Sequence, residues 1–490
     1  MLTFSTVRRL IAALASLCGL AGVGVTARAD APAPRLNVLL IAIDDLGANL
    51  GCYGDAVART PHLDALARRG TLFSRAYCQF PLCNPSRASV LTGLRPDRVA
   101  VHDLPTHFRA NVPDVVTLPQ AFKREGYWTA RVGKVFHAGV PAHIGLDGPD
   151  DPASWDERVN PRGRDKDDEA LFKNLTPGRG PGTALRIFAA DGTDEEQTDG
   201  KVATETLRLL ESARDRGRPF FVAAGFYRPH LPFVAPRRYF DLHPLETMPA
   251  PPDPTGELAT VPRAGLWTWP PFFGLNPEER REAIRAYHAC VSFVDAQIGR
   301  VLDGLQRLGL AENTLVVLWS DHGYLLGEHG QWFKESLFEP ALRTPLIIAS
   351  PRLPPTPACT RLVEFVDIFP TTLELAGLPI PGGLDGRSLA PLLRDPERPW
   401  PHPALSQVWI SRTGAYGRSI RTERYRYSEW GERGADGVQL YDLESDPGEH
   451  RNLAGWAEYA ATQRTLASEL HQRLPWVPGA PPARAASKVD

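Results

Sequence analysis

The chain has almost no net charge and few cysteines, and these shortages exclude several classes of protein. Its 55 lysines and arginines nearly balance 57 aspartates and glutamates, which leaves a formal charge of −2. Without a basic excess, there is no electrostatic reason to expect binding to nucleic acid. The six cysteines include no Cys-x-x-Cys pair, so a zinc site built on cysteine is not expected.

Long apolar runs are also scarce, and the one candidate for a membrane segment lies at the N-terminus. Two arginines precede an apolar stretch at residues 10–25, and Ala27-Arg28-Ala29 then supplies the small residues that signal peptidase recognises. The stretch is short and contains glycine, which favours a cleaved signal peptide at residues 1–29 over a membrane anchor. We therefore expect an exported protein, periplasmic or extracellular, with no transmembrane segment after cleavage.

The length and the pattern of apolar residues predict an α/β fold. A chain of 490 residues is long enough for one large domain and a smaller one, and its 47 prolines indicate many irregular connections. Nearly continuous apolar runs alternate with helical patterns, which is typical of parallel strands buried on both faces. We predict a large, mostly parallel sheet sandwiched by helices at residues 35–395. Its strands are predicted at residues 36–43, 127–132, 219–226, 314–319 and 345–349.

The pattern changes after a proline-rich stretch at residues 391–403. Short segments at hairpin spacing follow it, and then a helix. We expect a small antiparallel sheet with one helix at residues 400–478, and a disordered tail at residues 479–490. The polar stretch at residues 138–199 is expected to be an insertion with little regular structure.

Polar side chains directly follow four of the predicted strands. In an open α/β sheet, ligands bind at the edge where the parallel strands end. Solvated turns are a poor explanation when four separate strands deliver polar groups to one edge, so we predict a site there. The groups are Asp44 and Asp45, Lys134 and His137, His230, and Asp321 and His322.

The aspartates in this set indicate a hard cation. Asp44 and Asp45 are adjacent, and at a strand end the chain can bend so that both carboxylates reach one ion. Asp321 adds a third carboxylate, and His322 adds a nitrogen ligand or a hydrogen-bond partner for a ligand. Such a set suits Ca²⁺ or Mg²⁺ better than zinc. The alternative is that the aspartate pair forms a simple turn and that the histidines pack in the core.

One further stretch carries a candidate nucleophile, Cys83-Asn84-Pro85-Ser86-Arg87. The cysteine stands at the start of a predicted helix, where free N–H groups and the helix dipole favour an anion or an ionised nucleophile. Arg87 adds a cation one turn later. This is the chemistry of a nucleophile in an anion-binding pocket. The alternative is a small core cysteine beside a surface arginine.

The same stretch resembles the sulfatase signature, which is Cys-x-Pro-Ser-Arg, then three residues, then Leu-Thr-Gly; every fixed position is matched. Other motifs stand in the order and rough spacing of sulfatases: Asp44-Asp45, Gly133-Lys134-x-x-His137, Pro229-His230, and Asp321-His322-Gly323 through Lys334. Residues 50–55, 133–137, 228–230 and 326–330 are similar to the iduronate-2-sulfatase branch of that family. The resemblance covers most of residues 36–475 and thins at residues 138–199 and 255–273.

The resemblance implies a modified nucleophile and a metal. In sulfatases a formylglycine-generating enzyme converts the signature cysteine to formylglycine, whose hydrate is the nucleophile. Because Ca²⁺ prefers oxygen to sulfur, such a conversion at Cys83 also makes the residue compatible with a neighbouring Ca²⁺. The residues implied to hold one Ca²⁺ are residue 83, Asp44, Asp45, Asp321 and His322.

The resemblance also implies roles for the remaining groups. Arg87 and Lys134 would hold the hydrate and neutralise charge. His230 and Lys334 would bind the sulfate and help protonate the leaving alcohol. His137 would deprotonate the second hydroxyl, which expels sulfate and regenerates the aldehyde.

The substrate implied by the resemblance is the 2-O-sulfate of a terminal uronic acid in a heparan- or dermatan-type glycan. Three alternatives stay open: another sulfate ester, such as a different polysaccharide or choline sulfate, a phosphate or phosphonate ester, and a carbohydrate-binding scaffold with a degenerate enzyme fold. The sequence also leaves open the oligomeric state and the pairing of Cys52, Cys78, Cys290 and Cys359.

Overall fold

The computed structural model of the protein describes residues 35–180 and 182–476. The predicted signal peptide at residues 1–29 and the predicted tail at residues 479–490 lie outside the described residues. Across the two described ranges, no helix is long and apolar enough to cross a membrane.

An eight-stranded sheet forms the centre of the fold, in the order β13-β2-β12-β9-β1-β7-β3-β4. Every neighbouring pair in it is parallel except the two pairs that involve β12. This confirms the predicted large, mostly parallel sheet. The strands of the described chain are β1 (Asn37–Asp44), β2 (Thr71–Tyr77), β3 (Trp128–Gly133), β4 (Glu157–Val159), β5 (Lys173–Asn174), β6 (Arg186–Ala190), β7 (Phe220–Pro229), β8 (Phe233–Pro236), β9 (Thr314–Ser320), β10 (Leu325–Leu326), β11 (Trp332–Phe333), β12 (Leu346–Ala349), β13 (Cys359–Glu364), β14 (Ala404–Ile410), β15 (Ala415–Arg421), β16 (Tyr425–Trp430) and β17 (Gly437–Asp442).

Helices flank this sheet and are placed by local sequence signals. Asn276 starts the long helix Pro277–Arg307 by accepting hydrogen bonds from the N–H groups of Glu278 and Glu279, at 2.9 and 3.0 Å. The helix that carries the candidate nucleophile begins at Cys83, as predicted. The helices are Pro61–Arg69, Cys83–Thr92, Leu118–Arg124, Thr198–Asp215, Pro277–Arg307, Ile368–Ala376 and Ala460–Arg473, with shorter ones at Pro96–Val99, Arg164–Asp167, Arg237–Asp241, Thr255–Leu258, Glu339–Leu342 and Ala390–Arg394.

A smaller antiparallel sheet, in the order β14-β15-β16-β17, follows the central sheet along the chain. The helix Ala460–Arg473 packs on it through its own apolar cluster, which includes Leu405, Ile420, Leu440 and Leu470. This confirms the predicted small sheet with one helix. The boundary between the two parts, expected near residues 395–400, stays a prediction.

The segment at residues 138–199 is more regular than predicted. β4 pairs in parallel with β3 at the edge of the central sheet, and β5 and β6 form a three-stranded sheet with β8. β4 and β6 pair with β3 and β8, which lie outside the segment, so its composition alone does not reveal these pairings. β5 pairs with β6 inside the segment. The prediction of little regular structure was therefore wrong for these three strands.

The cysteines whose pairing the sequence left open are free thiols. Cys52, Cys78, Cys290 and Cys359 form no disulfide in the structure. Burial raises the pKa of Cys52 and of Cys290 to about 12. At neutral pH these two thiols are protonated and therefore poor nucleophiles.

Two facing glycines allow the ends of β3 and β7 to approach closely beside the candidate site. Gly133 has a φ of 69°, and a Cβ at this position would collide with the carbonyl oxygen of Gly225. A Cβ at Gly225 would collide with the carbonyl group of Lys134, whose own N–H donates to Gly225 at 3.0 Å. Glycine is therefore required at both positions, and their contact places Lys134.

We predict that Gly225→Ala lowers the free energy of unfolding by about 1–3 kcal/mol, because the added methyl group pushes the backbone of Lys134 away. Activity should fall with it, since Lys134 moves. Gly382→Ala is the matched control, because a Cβ there meets nothing within 4 Å. Equilibrium unfolding in urea measures the first effect, and an activity assay of each variant measures the second. Equal stability of the two variants would contradict this role of Gly225.

Candidate active site

The carboxyl ends of four strands bring the candidate residues to one point. β1 ends at Asp44, β3 at Gly133, β7 at Pro229 and β9 at Ser320, and a candidate side chain lies at or just beyond each of these ends. Two overlapping sets have ligating atoms that all lie within 4.8 Å of one another. They are Asp44, Asp45, Cys83 and His230, and Asp45, Cys83, Asp321 and His322.

A bend in the backbone lets both adjacent aspartates reach this point. Asp45 has a φ of 63°, a left-handed conformation that aspartate tolerates better than most residues. The Tyr287 hydroxyl holds the bend, because it donates to the carbonyl oxygen of Asp45 and accepts from the N–H of Gly47, both at 2.8 Å. The Asp45 N–H also donates to Asp321 Oδ1 at 3.1 Å. The bend is therefore fixed from both sides.

Arg87 ties three of the strand ends together from a fully buried position. Its Nε donates to Asp321 Oδ2 at 2.8 Å, and its Nη2 donates to Asp44 Oδ1 at 3.1 Å. Its Nη1 donates to the carbonyl oxygens of Lys134 and Val135, at 2.6 and 3.0 Å. Burial alone would lower the pKa of Arg87, but Asp321 and Asp44 raise it above its ordinary value. Arg87 is thus a permanent cation between two buried carboxylates.

Two lysines complete the charge balance. Lys134 Nζ lies 2.6 Å from Asp44 Oδ2, and Lys334 Nζ lies 2.6 Å from Asp45 Oδ1 and 3.2 Å from Cys83 Sγ. Burial alone would raise the pKa of Asp44, but Lys134 holds it well below its usual range. Burial alone would lower the pKa of Lys334, but Asp45 raises it. Asp44 and Lys334 are therefore charged at neutral pH.

The hydrogen bonds of His322 show that lone pairs converge here. Its Nδ1–H donates to the carbonyl oxygen of Gly323 at 2.9 Å. Burial lowers the pKa of His322, so the ring is neutral and Nε2 carries a lone pair. That lone pair lies 3.4 Å from Asp45 Oδ1 and 3.5 Å from Asp321 Oδ1. Acceptors that face one another fit a bound cation, and a set of carboxylate oxygens with one nitrogen fits Ca²⁺ or Mg²⁺.

The other two histidines flank this centre. His230 Nδ1 lies 2.6 Å from the carbonyl oxygen of Leu231, so Nδ1–H donates and Nε2 faces Asp45 Oδ2 at 3.8 Å. His137 is buried, and its Nδ1 has no hydrogen-bond partner. Burial and the nearby Lys134 hold the pKa of His137 well below its ordinary value. The ring is therefore neutral at neutral pH, which is the form that a general base must have before it accepts a proton.

The sequence missed residues that position these groups. Tyr287 was not among the predicted site residues, and its hydroxyl was the one signal in the sequence that could have indicated a polar role. Ser86 donates to the carbonyl oxygen of Asp321, and Ser320 Oγ accepts from the N–H of Leu46 at 3.0 Å. Ser86 was visible as a fixed position of the signature, but Ser320 carried no signal.

Family models match almost the whole described chain. The model named Sulfatase matches residues 36–378, and the model named N-sulphoglucosamine sulphohydrolase, C-terminal, matches residues 327–474. The chain belongs to the sulfatase family. It is therefore a sulfuric ester hydrolase, and the charged centre described above contains the signature residues of that family.

Individual sulfatases and a related hydrolase are similar over most of their length. Iduronate 2-sulfatase of Mus musculus is 32% identical over 527 aligned residues, covering 90% of this chain and 94% of that protein. Choline-sulfatase of Rhizobium meliloti is 31% identical, covering 88% of this chain and 84% of that protein. Among solved structures, the phosphonate monoester hydrolase of Silicibacter pomeroyi superposes with a TM-score of 0.73 at 26% identity, covering 89% of this chain and 95% of that one.

We predict that Arg87→Gln destabilises the sulfatase fold by about 3–5 kcal/mol, because Asp44 and Asp321 lose the cation that pairs them in a buried site. Arg98→Gln is the matched control, since Arg98 pairs with Asp385 at 2.8 Å but is half exposed; its cost should be below about 1 kcal/mol. Equilibrium unfolding in urea measures both. A similar cost for the two variants would mean that Arg87 does not balance the centre.

Proposed function

We propose that this sulfatase is an exo-acting enzyme that removes the 2-O-sulfate of a terminal uronic acid from a sulfated glycan. The proposal rests on the similarity to iduronate 2-sulfatase, which extends over nearly the full length of both chains. The observation that carries the chemistry is the convergence of carboxylates, cations and the His322 lone pair around residue 83. This arrangement suits an anionic ester and an oxygen nucleophile.

We assign one Ca²⁺ to this centre. When bound, the ion supplies Lewis acidity that polarises a sulfate oxygen. Three aspartates here are already balanced by Arg87, Lys134 and Lys334. A divalent cation therefore leaves the centre with excess positive charge, which complements a sulfate ester. The residues assigned to hold it are residue 83, Asp44, Asp45, Asp321 and His322.

We assign formylglycine to position 83, made by a formylglycine-generating enzyme acting on Cys83. The hydrate of formylglycine supplies the oxygen nucleophile. In the structure, Cys83 Sγ occupies the position that the nucleophilic oxygen would take in the modified residue. This atom lies 3.2 Å from Lys334 Nζ and 3.4 Å from His322 Nε2. A thiol is a poor neighbour for Ca²⁺, which prefers oxygen ligands. The surrounding groups therefore favour the modified residue over cysteine.

The contacts refine the roles proposed for the cations. All the hydrogen bonds of Arg87 go to Asp44, Asp321 and two carbonyl oxygens, so it acts as a positioning residue and neutralises charge. Lys134 is paired with Asp44 and acts in the same way. Lys334 Nζ contacts residue 83 itself, which supports the role proposed for it in binding the sulfate.

Each of the two histidines is assigned one proton transfer: His230 helps to protonate the leaving alcohol, and His137 removes a proton from the hydroxyl of residue 83. His230 is held by its Nδ1–H, which leaves Nε2 at the centre to bind the sulfate and, with Lys334, to help protonate the leaving alcohol. His137 is neutral and has a free nitrogen, which suits removal of a proton from the hydroxyl of residue 83 as sulfate is expelled.

We further propose that the enzyme is exported to the periplasm or the extracellular space. The support is the pattern of residues 1–29, which is that of a signal peptide. A sulfated polysaccharide substrate outside the cell fits this location.

Two other substrates are favoured by specific similarities. The chain is 31% identical to a choline-sulfatase, and its fold matches that of a phosphonate monoester hydrolase. Sulfate monoesters and phosphonate monoesters are both tetrahedral monoanions at neutral pH, so charge does not separate them. Turnover of the two substrates has to be compared.

A substrate panel tests the proposal. We predict that a disaccharide with a terminal 2-O-sulfated uronate releases sulfate with a higher kcat/KM than choline sulfate, a 6-O-sulfated glucosamine or an aryl phosphonate. An oligosaccharide whose only 2-O-sulfate is internal should be inert, because the enzyme acts at the chain end. His137→Ala is the inactive control. Preference for choline sulfate or the phosphonate would overturn the substrate assignment.

A further inference from the structure

A second group of metal-ligating side chains lies apart from the active centre. Glu257, His329 and His450 each offer one ligating atom, and these atoms lie within 4.8 Å of one another. His329 Nδ1 is hydrogen-bonded to Glu257 Oε1, and His450 Nδ1 lies 2.9 Å from Glu257 Oε2. None of the three is a ligating residue of the sulfatase centre. His329 lies within residues 326–330, a stretch that resembles the iduronate-2-sulfatase branch, but no role was assigned to it above.

Separate parts of the chain supply these ligands. Glu257 lies in the short helix Thr255–Leu258, His329 lies in the turn Glu328–Gly330 between β10 and β11, and His450 lies in the loop after β17. The three ligands are far apart in sequence, so only the tertiary fold brings them together. A group that binds all three would fasten the C-terminal part of the chain to the hairpin β10–β11.

The position of the His329 ring is fixed before any ligand binds. His329 has a φ of 53°, in the left-handed region, and its ring stacks on Phe338 with centroids 3.7 Å apart and planes at 11°. Its side chain is 1% exposed, whereas that of His450 is 61% exposed. One ligand is therefore rigid and buried, and another can adjust from the solvent side.

The cluster stands on the wall of a cavity of about 510 Å³. Prolines and aromatic or imidazole rings form much of the remaining lining, including Pro251, Pro254, His288 and Tyr324. The cavity gives a bound ion a free side that a water molecule can occupy. Three protein ligands with one open position are the arrangement of many zinc sites.

We propose that Glu257, His329 and His450 form a Zn²⁺ site, distinct from the Ca²⁺ site. Two imidazoles and one carboxylate suit zinc, whereas the active centre, with three carboxylates and one histidine, suits a hard cation. Binding of Zn²⁺ displaces the protons of the hydrogen bonds between the Glu257 carboxylate and the Nδ1 atoms of His329 and His450. The ion would thereby join the exposed His450 to the already fixed turn Glu328–Gly330, which lies four residues before Lys334.

The test titrates Zn²⁺ alone into the full chain carrying Cys83→Ser, with Ca²⁺ at saturation. The substitution removes the one thiol of the active centre, and Ca²⁺ occupies the carboxylates there. We predict one Zn²⁺ per chain by calorimetry. His450→Ala should weaken binding by about tenfold or more, since losing even an outer partner of a ligand costs 10–100-fold.

His471→Ala is the matched control, because His471 pairs with Glu429 at 2.9 Å in the same part of the chain and is 32% exposed. It should leave the affinity for Zn²⁺ unchanged. Because His450 is exposed, its loss should not unfold the chain, and a thermal scan checks this: Zn²⁺ should raise the Tm of the parent and of His471→Ala but not of His450→Ala.

X-ray absorption at the zinc edge gives an independent readout. Nitrogen and oxygen ligands at about 2.0–2.2 Å, with imidazole scattering, are expected. Two results would overturn the proposal: no Zn²⁺ bound at Ca²⁺ saturation, or equal affinity of the parent and His450→Ala. Either would leave Glu257 as a hydrogen-bond acceptor for two histidines and no more.

Discussion

Charge balance in a buried pocket is the constraint on which the active centre depends. Asp44, Asp45 and Asp321 are almost fully buried, and a buried carboxylate without a partner is strongly destabilising. Arg87 pairs with two of them, and the two lysines pair with Asp44 and Asp45. The fold can hold three anions at one point only because each has a cation in contact. Because these three carboxylates are already neutralised, an added divalent ion would give the centre a net positive charge. That charge would attract an anionic substrate.

The central sheet makes this charge balance possible because the ends of neighbouring strands lie side by side. Parallel strands β1, β7, β3 and β9 place their carboxyl ends at one edge, and Arg87 binds groups that follow three of them. The glycines at the ends of β3 and β7 let the strands approach, and Tyr287 holds the bend at Asp45. Stability and chemistry are therefore coupled here, because the contacts that close the sheet edge also orient the catalytic groups.

The sequence predicted the strands that lie in the middle of the sheet, because their two faces are buried and their residues are nearly all apolar. It did not predict β2 and β13, whose arginines and hydroxyl residues reach partly exposed positions and interrupt the apolar run. The side chains of the centre were visible as polar residues after strands. The left-handed Asp45 and the role of Tyr287 were not, since both depend on contacts between distant parts of the chain.

The proposed chemistry requires that residue 83 act through oxygen. Mass spectrometry of the tryptic peptide that contains residue 83, from active enzyme made in its native host, tests this claim most directly. The peptide with Cys52 is an internal control and should carry an unmodified cysteine. We predict that position 83 has the mass of formylglycine. An unmodified Cys83 in fully active enzyme would contradict it.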